Sequence, residues 1–305
     1  MNDVLLALYS DRLFMAAVGV YVLAMVLHAA EYAVARSARA PELVGAGAPT
    51  GEAAEPARRG RSDRMGAVAV NLVVLGALLQ LGAIVARGLA ADRWPLGNMY
   101  EFTSAVCLAA VVAWLVVLRR TPSLRAVGLF VLLPVVILLF LAGTVLYARA
   151  APVVPALRSY WLVVHVTTIT LSSGLLVVPG IASLLYLLRR SGEAGTFADR
   201  LPSAAALDRL AYRTTIVAFP LYTFGVIAGA IWAEAAWGRF WGWDPKETVA
   251  FVAWVVYAAY LHARATAGWR SGRAAWINVA GLAVVLFNLF FINMVVAGLH
   301  SYAGL

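Results

Sequence analysis

The chain has 305 residues, 63% of them hydrophobic and only 13% charged, with a mean hydropathy of +0.84. That balance excludes an ordinary soluble domain, and the long uninterrupted apolar runs exclude a transmembrane barrel, which would show ten-residue segments of alternating polarity. The net charge of +9 comes from arginines scattered over short segments, a topology signal rather than a nucleic-acid-binding surface.

Eight runs of helix-spanning length follow in chain order, near residues 12–35, 65–86, 101–118, 126–147, 160–188, 211–235, 247–265 and 274–297. They predict an all-α, polytopic membrane protein with eight transmembrane helices. Residues 1–30 carry Asp3 where a signal peptide has a basic cluster and show no small-residue cleavage site, so the first helix (1–36) is expected to stay. Residues 37–64, rich in Ala, Gly, Pro, Glu and Arg, read as a flexible cytoplasmic linker. Residues 65–305 form a seven-helix domain, with Pro134, Pro179 and Pro220 inside helical runs as expected kinks. No internal repeat stands out.

Seventeen of the 24 Lys and Arg residues fall after helices one, three, five and seven; the other side keeps Arg12, Arg87, Arg93, Arg149, Arg158, Arg239 and Lys246. The positive-inside rule then places both termini outside the cytoplasm.

Chemistry has to come from the few polar groups that a bilayer protein retains, and the chain has four histidines, His28, His165, His262 and His300. His165 lies about 7 or 8 Å into helix five from its outer end, and His300 follows the outer end of helix eight. His262 lies roughly 22 Å into helix seven, and His28 reaches a similar depth in helix one. Two imidazoles at one level from different helices suit the axial positions of a six-coordinate heme iron; each alone is equally compatible with a hydrogen bond between helices.

The outer loop between helices six and seven reads Trp237-Gly-Arg-Phe-Trp241-Gly-Trp243-Asp-Pro-Lys-Glu247. Any one of these tryptophans fits an aromatic belt. A belt does not account for the interleaved Gly238 and Gly242, nor for Asp244-Pro245-Lys246-Glu247 restarting the next helix. Indoles separated by small residues make a flat apolar platform for a porphyrin, with Arg239 and Lys246 in reach of its propionates.

This loop, from Trp232 to Glu247, resembles the tryptophan-rich WWD signature of the heme-handling proteins of cytochrome c synthesis of the CcsA or ResC type. The resemblance extends to Pro95-Leu-Gly-Asn-Met-Tyr-Glu101, Tyr160-Trp-Leu-Val-Val-His165, Tyr260-Leu-His262 and Gly298-Leu-His300-Ser-Tyr302. Phe240 stands where family members often have Tyr, and Glu234-Ala235 where they often have Asn-Glu.

The resemblance implies a bacterial cytoplasmic (inner) membrane protein, of System II of cytochrome c synthesis, whose active site faces outward. It makes His165 and His300 the axial ligands of an external heme b and His262 a ligand of a second, intramembrane heme. The opposite ligand there comes from a ResB/CcsB-like membrane partner, and His28 receives no role. Trp232, Arg239 and Lys246 become heme-binding candidates, and Trp237, Trp241, Trp243 and Asp244 catalytic ones. The implied reaction adds the two thiols of an apocytochrome c CxxCH motif to the heme vinyls. Cys107 is the only cysteine, so the substrate thiols need separate reductant proteins. Two other readings stay open on the sequence: a heme exporter without the chemistry, and a b-type cytochrome subunit of a quinol oxidoreductase.

The charge pattern makes a direct prediction. Topology reporters fused after Ser123 and Arg200 will read cytoplasmic, and those after Arg239 and Leu305 extracytoplasmic; a cytoplasmic reading at Leu305 overturns the assignment.

Overall fold

The computed structural model describes residues 2–37, 54–152, 159–191, 198, 200–266, 268–269 and 272–300. Eight helices run α1 Asn2–Ser37, α2 Ala54–Ala91, α3 Met99–Arg120, α4 Gly128–Thr144, α5 Tyr160–Ser191, α6 Ala204–Trp237, α7 Pro245–Thr266 and α8 Gly272–Phe287. Among the described residues there is no strand, and eight helices are long and apolar enough to cross a membrane. The eight-helix expectation therefore holds, and the protein is a multi-pass membrane protein.

Some boundaries differ. Helix α2 begins at Ala54, so residues 54–64, expected as part of the linker, are helical; residues 38–53 lie outside the described residues. The segment is rich in Ala and Arg, which favour helix even where no apolar face is available, so hydropathy alone placed the helix start too late. At the other end, α8 passes into a π-helical turn, Asn288–Ile292, then a short turn Asn293–Val295, and leaves helical geometry at Val296. Pro134, Pro179 and Pro220 sit within α4, α5 and α6 as expected.

Helix α1 packs on α2 and α4, while α5 packs on α3, α6 and α8, and α7 on α6 and α8. Polar contacts fasten the bundle at its two ends. At one end Arg125 Nε donates to Glu31 Oε1 at 2.6 Å and Arg264 pairs with Asp208. At the other, Ser10 Oγ donates to the Ala83 carbonyl at 2.8 Å, and Arg87 meets Asp11, Glu101 and the Ala148 carbonyl.

Glu101 carries most of that second cluster. Its carboxylate accepts from Arg87 Nε (3.2 Å), from Arg93 Nη1 and Nη2 (2.7 and 2.9 Å) and from the Gly97 amide (2.7 Å), and its own amide donates to the Asn98 cap (2.9 Å). The Arg87 and Glu101 side chains are each 2% exposed, so each neutralises a charge that neither water nor lipid would solvate. The network fixes the 93–98 loop against α3. Glu101→Leu, which removes the carboxylate that Arg93 pairs with and leaves Arg87 with Asp11 at 3.4 Å, is expected to cost about 3–5 kcal/mol. This should appear as a lower thermal midpoint of the detergent-solubilised protein, with the exposed substitution Arg119→Gln as control; an unchanged midpoint would show that the network is dispensable.

Candidate functional site

The site forms where α5 and α6 come closest. Gly225 and Gly229 lie one turn apart on α6, and a Cβ at either would come within 2.7 Å of Ile169 Cδ1 or 2.6 Å of His165 Cε1 and Nδ1 respectively. This Gly-x-x-x-Gly face lets the helix backbones approach, and it seats the His165 ring directly on α6. His165 Nδ1 lies 2.8 Å from the Gly225 carbonyl. A carbonyl only accepts, so Nδ1 carries the proton and the neutral ring's lone pair is on Nε2.

His300 arrives from the far end of the chain. Past the π-helical turn the backbone extends, and Asp244 receives it: the Leu299 amide donates to Oδ2 at 2.8 Å and His300 Nδ1 to Oδ1 at 2.9 Å. A Cβ at Gly298 would lie 2.7 Å from Asp244 Oδ2, so only glycine permits this approach. Asp244 also caps α7, accepting from the Lys246 amide at 3.1 Å, while Glu247 returns the bond to the Asp244 amide at 3.2 Å. Glu247 further accepts from the Gly242 amide (2.8 Å) and from Arg239 Nη1 (3.2 Å), closing the loop on itself.

Burial opposes ionisation of Asp244, but the hydrogen bond from His300, that from the Leu299 amide, the His300 charge and the bond from the Lys246 amide outweigh it and bring the carboxyl to about 2. With a folded value below its ordinary 3.8, the stability that this carboxylate contributes is complete above about pH 4 and is lost as pH falls through about 2.

Both imidazoles contact Trp232, which is 1% exposed: His165 stacks on it at 6.0 Å and 11°, and His300 meets it edge-on at 5.8 Å. Trp237 touches Trp232 and His300 at 4.8 and 5.0 Å. Two small cavities, about 110 and 70 Å³, share His165, His300, Trp232 and Lys246 as lining; the larger is closed by the Leu96–Met99 stretch that Glu101 holds, the smaller by Phe240 and Trp241. Lys246 Nζ donates to Asn293 Oδ1 at 2.6 Å and has no carboxylate partner among the described residues, whereas Arg239 is engaged with Glu247 and lies over the Trp237 ring.

The loop is not the flat platform expected of it. Trp241 and Trp243 stand at 88° to one another, 5.9 Å apart, and both present edges to Phe251. Gly238 ends α6 in a left-handed turn (φ +71) and Trp243 itself has φ +57, so the backbone reverses and successive indoles leave in different directions. Trp243 is 65% exposed and lines neither cavity.

His262 lies late in α7, exposed, far along that helix from its start beside Asp244 and His300. His28 is buried, with Nδ1 3.2 Å from Glu31 and its ring edge-on to Trp114. The helices of His28 and His262 pack on different partners, which gives no support to a pairing of these two within this chain. Reading the sequence left out Gly225, Gly229, Glu247, Asn288 and Asn293. The Gly-x-x-x-Gly spacing, and Asn288 and Asn293 among the three asparagines of the otherwise apolar run 274–297, were the available signals.

The family described as Cytochrome C assembly protein matches residues 96–300. The Cytochrome c biogenesis protein CcsA of Parasynechococcus marenigrum (strain WH8102) is 38% identical over 258 residues, covering 76% of this chain and 85% of its own. The protein of the same name from Synechococcus sp. (strain RCC307) is 36% identical over 258 residues, covering 76% and 83%. Among solved structures, Cytochrome c Heme Lyase CcmF aligns over 93% of this chain with a TM-score of 0.66 at 18% identity, a likeness of fold; the chain spans 46% of that structure.

If Asp244 is what holds the His300 segment, Asp244→Ala will speed hydrogen exchange at the Leu299 amide at least tenfold, the loss of a charge-assisted bond of about 1.5–3 kcal/mol. In the unsubstituted protein, the bond's contribution to protection will not change between pH 7 and 4, after correction for intrinsic exchange. Wild-type protection in the variant would show that the segment is held by something else.

Proposed function

The chain belongs to the cytochrome c assembly protein family, and from that membership we propose that it is a heme lyase subunit acting on heme b as substrate. His165 and His300 would hold the heme iron through their Nε2 lone pairs. Lys246 meets a propionate, a cation otherwise left with only an amide partner. The CxxCH thiols of apocytochrome c then add across the heme vinyls, each S–H giving its sulfur to one vinyl carbon and its proton to the other. The heme supplies the reactive alkenes; this chain supplies position and exclusion of water.

One observation carries the reading. Each outer imidazole is held through Nδ1 by an oxygen acceptor, the Gly225 carbonyl or the Asp244 carboxylate, which sets the tautomer with its lone pair on Nε2. Histidines that ligate metals are held in this way, because the outer acceptor fixes ring orientation and raises basicity. The cavities beside them are well below the roughly 300 Å³ of ordinary small-molecule sites. Binding a porphyrin therefore requires the α6–α7 loop and the His300 segment, clasped together by Asp244, to part from α5.

Around that step the other residues divide the work. Trp232, Trp237 and Trp241 form an apolar wall, and Trp243, exposed at the loop's tip, is placed to meet the incoming polypeptide. Arg239 acts through Glu247 as a strut of the loop. His262 serves a second heme site completed by a ResB/CcsB-like partner, which its exposed position permits. Cys107 is buried in α3, so thiol reduction falls to other proteins.

The test is removal of each ligand with chemical replacement. His165→Gly and His300→Gly, each at normal protein level, will lose the six-coordinate heme spectrum and thioether formation, and free imidazole will restore the spectrum and part of the activity. A residue that merely bonds between helices gives no reason for imidazole to restore coordination. Unchanged spectra in both variants would rule out these histidines as ligands.

A further inference from the structure

A further, larger cavity lies away from the histidines. A cleft of about 890 Å³ runs along α3 between α2 on one side and α5 and α6 on the other. Its walls are apolar through the middle of the bundle, with Ala105, Leu108, Val112 and Val116 at helical spacing on α3 facing Leu171 and Val217. The polarity changes sharply at one end, where Arg120 from α3 and Arg209 and Arg213 from α6 border the cleft. This is the end opposite His165 and His300, and it also holds the Arg125–Glu31 and Arg264–Asp208 pairs.

Those three arginines differ from their neighbours. Arg125 has Glu31 and Asp63, and Arg264 has Asp208, whereas Arg120, Arg209 and Arg213 have no carboxylate partner among the described residues. Arg209 and Arg213 are four apart on one helix face, where like charges repel, and Arg120 adds a third at the same mouth. An uncompensated cationic mouth on an apolar slot that opens toward lipid is complementary to an amphiphile with an anionic head. From Arg120 back to Ala105 the slot follows about 22 Å of α3 at 1.5 Å per residue. One leaflet of hydrocarbon is roughly 15 Å deep, half of the bilayer core.

We propose that this cleft is a binding site for one anionic phospholipid, its phosphate held by Arg120, Arg209 and Arg213 and an acyl chain laid along α3 toward Trp94. Basic pockets between transmembrane helices recognise anionic headgroups through this combination of charge and groove. The lipid fills the gap between the α1–α4 part of the bundle and the α5–α8 part, which α3 and α5 otherwise join alone along this face. The site is independent of the heme reading.

Native mass spectrometry of the full chain in neutral detergent, titrated with phosphatidylglycerol or phosphatidylcholine of the same acyl chains, tests it. The wild-type protein is expected to retain one phosphatidylglycerol with a preference over phosphatidylcholine of at least tenfold. Each of Arg120→Gln, Arg209→Gln and Arg213→Gln should weaken that binding about fivefold, and the triple variant should abolish the preference. Ala113→Phe, which narrows the slot without touching charge, should lower retention of both lipids, while Arg119→Gln should change neither. Equal retention of the two lipids by wild type, or an undiminished preference in the triple variant with normal size-exclusion behaviour, overturns the proposal. Displacement by millimolar inorganic phosphate alone would overturn it in favour of a free-anion site.

Discussion

One carboxylate joins three of the parts of the chain that make the candidate site. Asp244 caps α7, receives the Leu299 amide and holds the His300 ring, so the loop after α6, the start of α7 and the segment beyond α8 meet at two oxygen atoms. Its low protonation point follows from that convergence. The two histidines are held differently: His165 is set by helix packing, whereas His300 lies outside any helix and is placed by Asp244 and by the Trp232 and Trp237 rings. Glu247 extends the same logic one turn further, since it holds the loop backbone that carries Asp244.

The bundle treats its other ions as fasteners. Glu101 with Arg87 and Arg93 ties the α2–α3 loop to the end of the bundle that holds His165, and Glu31 with Arg125 ties α1 to the turn before α4 at the opposite end. Between those levels cohesion comes from close approach of small residues, as with Gly281 against Tyr257 and Gly174 against the α3 backbone. In a bilayer the lipid is as apolar as leucine, so contact distance decides packing more than hydrophobicity does.

Fold class was legible because hydropathy over twenty residues is a bulk property that survives ignorance of every contact. The start of α2 was not, since residues 54–64 form helix by propensity and carry none of the apolar signal being counted. Of the residues singled out by the tryptophan and histidine motifs, the structure brings His165, His300, Trp232, Trp237, Trp241 and Lys246 together. What spacing could not express was direction. Trp243, at positive φ, sets its ring perpendicular to that of Trp241 rather than coplanar with it, and nothing in a linear string of indoles announces a left-handed residue between a glycine and an aspartate. The role of Glu247 was equally hidden, because a glutamate at the start of a helix is ordinary and only its three donors show what it holds.

Gly229 turns this fold into a sensitive gauge of ring placement. The position has no chemistry, yet a single methyl there would overlap the His165 imidazole at 2.6 Å, so the ring would have to leave its place beside Trp232. Mutational tolerance along α6 should therefore be inverted: bulky apolar changes on the lipid side of the helix pass unnoticed, while the smallest possible addition at one glycine acts as loss of the histidine. A tolerance map of α6 alone, made without touching any polar residue, would locate the imidazole by the outline it leaves.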